Sequence, residues 1–133
     1  MNLEKKSLVN LITTVIYWIS IDTRRRTVTV EDVEYACRSV YPISMKKSLT
    51  SSSAFSQREL IGIIALIGNE LYPSSTFRWK RDAIRYLHAY LHHVLEKIRD
   101  NCRLMMNDAL ENDPSNPPDP SMTLAMVLKM MRL

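Results

Sequence analysis

Glycine and cysteine are both scarce in this chain of 133 residues, which contains two of each. Two glycines are too few for a glycine-rich loop that holds phosphate, and neither G-x-G-x-x-G nor G-x-x-x-x-G-K occurs. The cysteines, Cys37 and Cys102, form no close-spaced metal or redox motif, so we expect reduced thiols. Few glycines together with eight methionines favour helices over a turn-rich β fold.

The length and the apolar content predict one compact folded unit. Domains cluster near ~100–150 residues, and a hydrophobic content of 46% excludes wholesale disorder. The net charge of +4 is uneven, because residues 1–60 carry nine lysines and arginines against six acids, whereas residues 101–133 carry three against four. The sharpest basic clusters are Arg24-Arg25-Arg26 and Arg78-Trp79-Lys80-Arg81. They favour nucleic-acid binding only if the fold brings them together.

The segment Leu3–Ile21 has apolar residues at helical spacing and is predicted to be a helix. A signal-anchor is the alternative, because Lys5 and Lys6 precede the apolar stretch. That stretch is about 15 residues long and is interrupted by polar side chains, whereas a spanning helix needs about 20. We therefore expect a helix that does not enter a membrane.

Capping signals and periodicity predict the remaining elements. Thr29 with Asp32, and Ser56 with Glu59, have the spacing of capping boxes. Apolar residues from Ile84 to Cys102 form a helical stripe. The predicted elements are a β-prone stretch at 24–30, a helix at Glu31–Val40, a short amphipathic helix and linker within Ile43–Ser53, a helix at Ser56–Leu71, a long helix at Phe77–Ala109, a proline-rich loop at Glu111–Ser121 and a helix at Met122–Leu133.

Groups of side chains with the spacing of a catalytic or metal site are few. His88 and His92 have the i, i+4 spacing of half a metal site, with His93 beside them, but no third ligand is fixed nearby. The methionines of the last helix are expected to pack in the core or against a partner helix. No nucleophile–base pair is recognisable. We expect no enzymatic activity, no metal and no cofactor.

The block Arg24–Tyr41, RRRTVTVEDVEYACRSVY, resembles the second loop and third helix of core and archaeal histones. Arg25 and Asp32 have the spacing at which histone folds pair a loop arginine with a third-helix aspartate. Upstream, the segment Lys6–Ile12 resembles the middle of the long helix of histone 2B. In the second half, Asp82–Ile98 resembles the long helix of histone 2A, although TFRWKRDAI is similar to the start of the long helix of histone 3.

Two such folds in one chain resemble the histone doublets of giant viruses of the marseillevirus type, in which a 2B-like half precedes a 2A-like half. The resemblance implies an all-α tandem pair of histone folds. A truncated 2B-like fold with a C-terminal extension would occupy residues 1–55, and a 2A-like fold would occupy residues 56–133. The first fold lacks its opening helix, and the second has an acidic, proline-rich loop where histones have a basic one.

The resemblance also implies where DNA would bind. In a pair of histone folds the long helices cross antiparallel, so the loop Arg24–Val30 would lie beside the loop Tyr72–Arg81. Arginines and hydroxyl groups there suit phosphate oxygens of double-stranded DNA, and Arg25 is the candidate for a structural pair with Asp32. The implied DNA contacts are Arg24, Arg25, Arg26, Thr27, Ser75, Thr76, Arg78, Lys80 and Arg81.

As partners, the resemblance implies a doublet of the histone 4–histone 3 type or other histones. The location it implies is chromatin or nucleosome-like particles, in a virion or in the nucleus or viral factory of an infected host cell. A histone pair has a second DNA site, formed by the other two loops. Here it is expected to bind DNA poorly, because its first-fold loop is missing and its second-fold loop carries Asp113 and Asp119. The modest net charge of +4 favours an alternative, a histone-fold module that binds proteins in transcription or chromatin complexes.

Overall fold

The computed structural model describes residues 2–22, 27–45, 55–72 and 77–133, and 78% of these lie in five helices. Two-residue strands are the remaining regular elements of the described part. The elements are α1 (Leu3–Asp22), β1 (Thr27–Val28), α2 (Val30–Val40), α3 (Gln57–Leu71), β2 (Arg78–Trp79), α4 (Arg81–Asn112) and α5 (Pro120–Met131). The predicted all-α class is confirmed.

Helix α1 follows the apolar spacing predicted for it. Its buried residues recur every three or four positions, from Leu8 and Leu11 through Ile12 and Val15 to Ile19. The opposite side carries exposed residues, including Tyr17. No helix in the described part of the chain has the length and hydropathy needed to cross a membrane.

Both predicted capping boxes are present. The Thr29 backbone N–H donates to the Asp32 carboxylate at 2.9 Å, and the Thr29 hydroxyl accepts from the Asp32 backbone N–H at 3.4 Å. Ser56 and Glu59 make the same reciprocal pair at the start of α3, at 3.1 and 3.0 Å. Each box satisfies backbone donors that the first helical turn leaves free, so both helices begin where the capping signals predict.

The start of the long helix was predicted wrongly. Residues Phe77–Lys80 are not helical, because Arg78 and Trp79 pair with β1 and Lys80 is the extended N-cap of α4. The helix also continues past Ala109 to Asn112. Asp113 is its C-cap, and Pro114 follows, which disfavours helical backbone at the preceding residue.

The C-terminal elements differ in detail from prediction. Helix α5 begins at Pro120 rather than Met122, with the Asp119 carboxylate as N-cap and proline in its first turn. The loop is correspondingly shorter, at 113–119. The short helix predicted within Ile43–Ser53 is absent from 43–45, and residues 46–53 lie outside the described part of the chain.

One hydrophobic core joins residues from both halves of the chain. Helix α1 packs on α2 and α3, while α4 packs on α2, α3 and α5. The buried Tyr90 of α4 donates its hydroxyl to the Tyr41 carbonyl oxygen at 2.7 Å, and burial raises the pKa of this phenol. Arg99 of α4 reaches Glu4 of α1 at 3.4 Å. The two halves therefore depend on each other for burial.

The Ser56 cap offers a direct test of the local structure. Replacing Ser56 by alanine is expected to lower the free energy of unfolding by about 1 kcal/mol, because a first-turn N–H of α3 loses its acceptor. Urea denaturation followed by circular dichroism measures the change. Ser39→Ala is the matched control, since that hydroxyl only bonds back to the Tyr35 carbonyl within α2. Equal effects of the two substitutions would contradict the capping role.

Candidate nucleic-acid interface

A parallel strand pair joins two segments that are distant in the sequence. Thr27 lies opposite Arg78 and Val28 lies opposite Trp79, in segments some fifty residues apart in the chain. The Lys80 backbone N–H extends the pairing by donating to the Val28 carbonyl oxygen at 3.1 Å.

At β2 and the residue that follows it, the packing side chain alternates with charged ones. Trp79 is half-buried against the core beside the fully buried Val28. Arg78 and Lys80, one position to either side, are exposed, as strand geometry requires of neighbours. The strand pair is thus anchored by apolar residues and presents two cations outward.

The predicted DNA contacts fall into two groups. Among the described residues, Thr27 is half-buried, and Arg78, Lys80 and Arg81 are exposed and adjacent in the chain. The structure brings Thr27 beside this basic group through the strand register. The other predicted contacts lie outside the described residues: Arg24, Arg25, Arg26, Ser75 and Thr76.

The capping box at Thr29 holds the strand β1 against the start of α2. The Asp32 carboxylate accepts from both the backbone N–H and the hydroxyl of Thr29, at 2.9 and 3.0 Å. The chain therefore turns from strand to helix at a fixed point immediately after Val28. The pairing predicted between Arg25 and Asp32 involves an arginine outside the described residues.

Sequence reasoning missed one cation that belongs with this group. Arg85 is exposed and lies one helical turn after Arg81 on α4, so both project from the same side. Its i, i+4 spacing from Arg81 was the available signal. Asp82, also exposed in this first turn, reduces the local positive charge.

The opposite end of α4 has the reverse charge. A helix of 32 residues is about 48 Å long at 1.5 Å per residue, and it separates β2 from the loop 113–119. In that loop the Asp113 carboxylate accepts from the Ser115 hydroxyl at 2.9 Å, and Asp119 caps α5. The basic strand pair and the acidic loop therefore lie far apart.

The histidines and cysteines are engaged in packing and hydrogen bonding. His88 Nε2 lies 2.7 Å from the Phe55 carbonyl oxygen, and His93 Nδ1 lies 2.8 Å from that of Ala89. Within the described residues, no three histidine, cysteine, aspartate or glutamate side chains are grouped to hold a metal. Both cysteines are free thiols, and burial raises the pKa of Cys37 to about 12, so it stays protonated at neutral pH.

An apolar cavity of about 300 Å³ lies behind the strand pair. Val28, Phe77 and Trp79 line one side, residues of α1, α3 and α4 line the rest, and Asn69 is a polar lining residue. On α3, Ile61 is 49% exposed at its edge. The face of the strand pair that points inward is thus apolar, in contrast to its basic outer face.

No protein-family model, curated protein or solved structure matches this chain.

Proposed function

We propose that this chain is a DNA-packaging histone doublet that binds the phosphate backbone without sequence specificity and forms nucleosome-like particles with a histone 3/4-type partner. The observation that carries the proposal is the parallel pairing of β1 with β2. It joins the segment that follows Arg24-Arg25-Arg26 in the sequence to the segment containing Arg78, Lys80 and Arg81. A histone pair joins its second and first loops in the same way.

The helix order supports the same proposal. Helices α3, α4 and α5 have the short–long–short lengths of one histone fold, with 15, 32 and 12 residues. Helices α1 and α2, joined through β1, match the end of the long helix and the third helix of another. Packing of α1 on α3 and of α2 on α4 interlocks the two sets in one core.

The chemistry of the strand pair suits phosphate rather than base edges. Arg78 and Lys80 are exposed at the strand pair, and phosphate contacts of this kind set position without reading sequence. The acidic loop 113–119 is a poor phosphate site, because Asp113 and Asp119 would repel the backbone. We therefore expect fewer phosphate contacts than a complete histone pair makes.

Reconstitution tests the proposal. The chain is mixed with DNA, with and without a histone 3/4-type partner, and digested with micrococcal nuclease. The expected result is a discrete protected fragment that needs the partner and is shorter than the ~147 bp of a complete nucleosome. No protection above that of the partner alone would refute DNA packaging. A fragment of the full length would contradict the prediction that the loop 113–119 contributes no DNA contacts.

A histone-fold module that binds other proteins is the second candidate. The apolar cavity behind the strand pair and the exposed Ile61 beside it favour this function. Salt dependence separates the two candidates, because phosphate binding releases counterions and weakens steeply as salt rises. A protein-binding module is expected to show weak DNA binding even at low salt.

A further inference from the structure

One surface near the C-terminal end carries strongly exposed apolar side chains. On α5, Met122, Met126 and Met130 recur every four residues and are 66%, 54% and 71% exposed. On α4, Leu104 is 62% exposed. The core contacts of α5 come instead from residues such as Val127 and the half-buried Met131. The prediction that the methionines of this helix pack in the core or against a partner helix is therefore met in the core by Met131, while the three exposed ones do not fill the core. Exposed apolar rows of this kind mark contact surfaces.

A groove of about 320 Å³ joins the two helices into one surface. Leu104 and Asp108 line its α4 side, and Met130 lines its α5 side. We call this surface, formed by the groove, the methionine row of α5 and the adjoining ridge of α4, the C-terminal face. It lies at the opposite end of α4 from the basic strand pair.

The ridge of α4 that borders the groove has a charge pattern that reverses about its centre. Residues 97, 101, 104, 108 and 111 are spaced by four and three positions, which places them along one side of the helix. Lys97 and Glu111 are both exposed, and neither makes an ion pair within the described part of the chain. Each lies seven residues from Leu104, or about 10.5 Å along the axis.

We propose that the C-terminal face binds the same face of a second copy of this chain. The two α4 helices would run antiparallel about a two-fold axis at Leu104, a self-complementary arrangement. Lys97 of each copy then lies opposite Glu111 of the other, and the two Leu104 side chains meet. The methionine rows of α5 would cover the flanks of this contact. Asp108 and Glu111 make the same face unsuitable for DNA.

Charge reversal tests this arrangement in the absence of DNA. Sedimentation velocity across the micromolar range is expected to show a reversible dimer for the natural sequence. Lys97→Glu sets two carboxylates against two carboxylates, and Glu111→Lys sets two amines against two amines. Each variant alone is expected to weaken dimerisation by about tenfold or more. Mixing the two variants restores both attractive pairs, so a heterodimer close to the natural affinity is expected.

Matched controls separate this effect from net charge and from general apolar character. Arg58→Glu and Glu70→Lys make the same charge changes on exposed positions of α3 and are expected to leave dimerisation unchanged. Leu104→Ala is expected to weaken it, whereas Leu66→Ala, at a position 66% exposed on α3, is not. Circular dichroism verifies that each variant remains folded.

A natural chain that stays monomeric throughout the concentration range would overturn the proposal, including the case in which only a histone partner covers this face. A dimer that survives both charge reversals, or variants that fail to combine when mixed, would also overturn it. These outcomes are independent of nuclease protection, because no DNA is present.

Discussion

Replacing Arg24, Arg26, Arg78 and Lys80 together by alanine is expected to weaken binding to double-stranded DNA by about two to three orders of magnitude at roughly 0.1 M salt. Arg78 lies on β2 and Lys80 directly follows it, and the two other arginines precede β1 in the sequence. If each cation contacts one phosphate, four fewer counterions are released on binding. The slope of log K against log salt should then be shallower by about 3–4 units.

A second quadruple variant provides the control. Lys6, Arg58, Arg103 and Lys129 are exposed cations outside the predicted contacts, and their replacement by alanine removes the same charge. Fluorescence anisotropy with one DNA duplex, titrated at several salt concentrations, gives both slopes. The control is expected to change the slope little. Equal losses of DNA affinity in the two variants would mean that binding depends on net charge alone. The assignment of the DNA contacts to the strand pair would then be refuted.

Replacing the buried Leu87 by alanine is expected to lower the free energy of unfolding by about 3–4 kcal/mol. Leu87 is fully buried on α4, which packs on α2 and α3, so the substitution leaves a cavity shared by both halves of the chain. Such a loss is a large fraction of the total free energy of unfolding, which is about 5–15 kcal/mol for a typical protein. Guanidinium denaturation measures the loss. Leu66→Ala, at a position 66% exposed, is the control and is expected to change stability by less than about 0.5 kcal/mol.

The same experiment tests whether the halves unfold together. Trp18 lies on α1 and Trp79 on β2, so variants that keep one tryptophan each report separately on the two parts of the chain. Because one core includes both parts, the two probes should show coincident transitions, and Leu87→Ala should shift both equally. Separate transitions would instead mean two independently stable units.

Helix positions were largely predictable because their determinants are local. The capping boxes at Thr29 and Ser56 involve residues three apart, and both form as their spacing indicates. The apolar stripe of α4 predicted most of its buried side, including Leu87 and Leu91. The burial of Tyr90 was not predicted, because its hydroxyl group is polar and can be buried only with a hydrogen-bond acceptor, here the Tyr41 carbonyl oxygen.

The largest error in the secondary structure has a tertiary cause. The segment from Phe77 to Lys80 continues the helical pattern of α4 in the sequence, yet Arg78 and Trp79 are extended. Their backbone groups pair with β1, some fifty residues earlier in the chain, and the sequence near Arg78 does not indicate this partner. The resemblance to histones implied that these two loops would be neighbours, whereas the local sequence pattern did not predict it.

The scarcity of glycine, together with periodic apolar residues and caps, was sufficient to determine that this chain is helical and where most helices begin. Those properties depend on interactions within a few residues. Only the tertiary structure decided that Thr27 lies beside Arg78, that the acidic loop lies at the far end of α4, and that Leu104 and the α5 methionines share an exposed face. Each of these depends on the packing of distant segments around one core, which sequence periodicity does not encode.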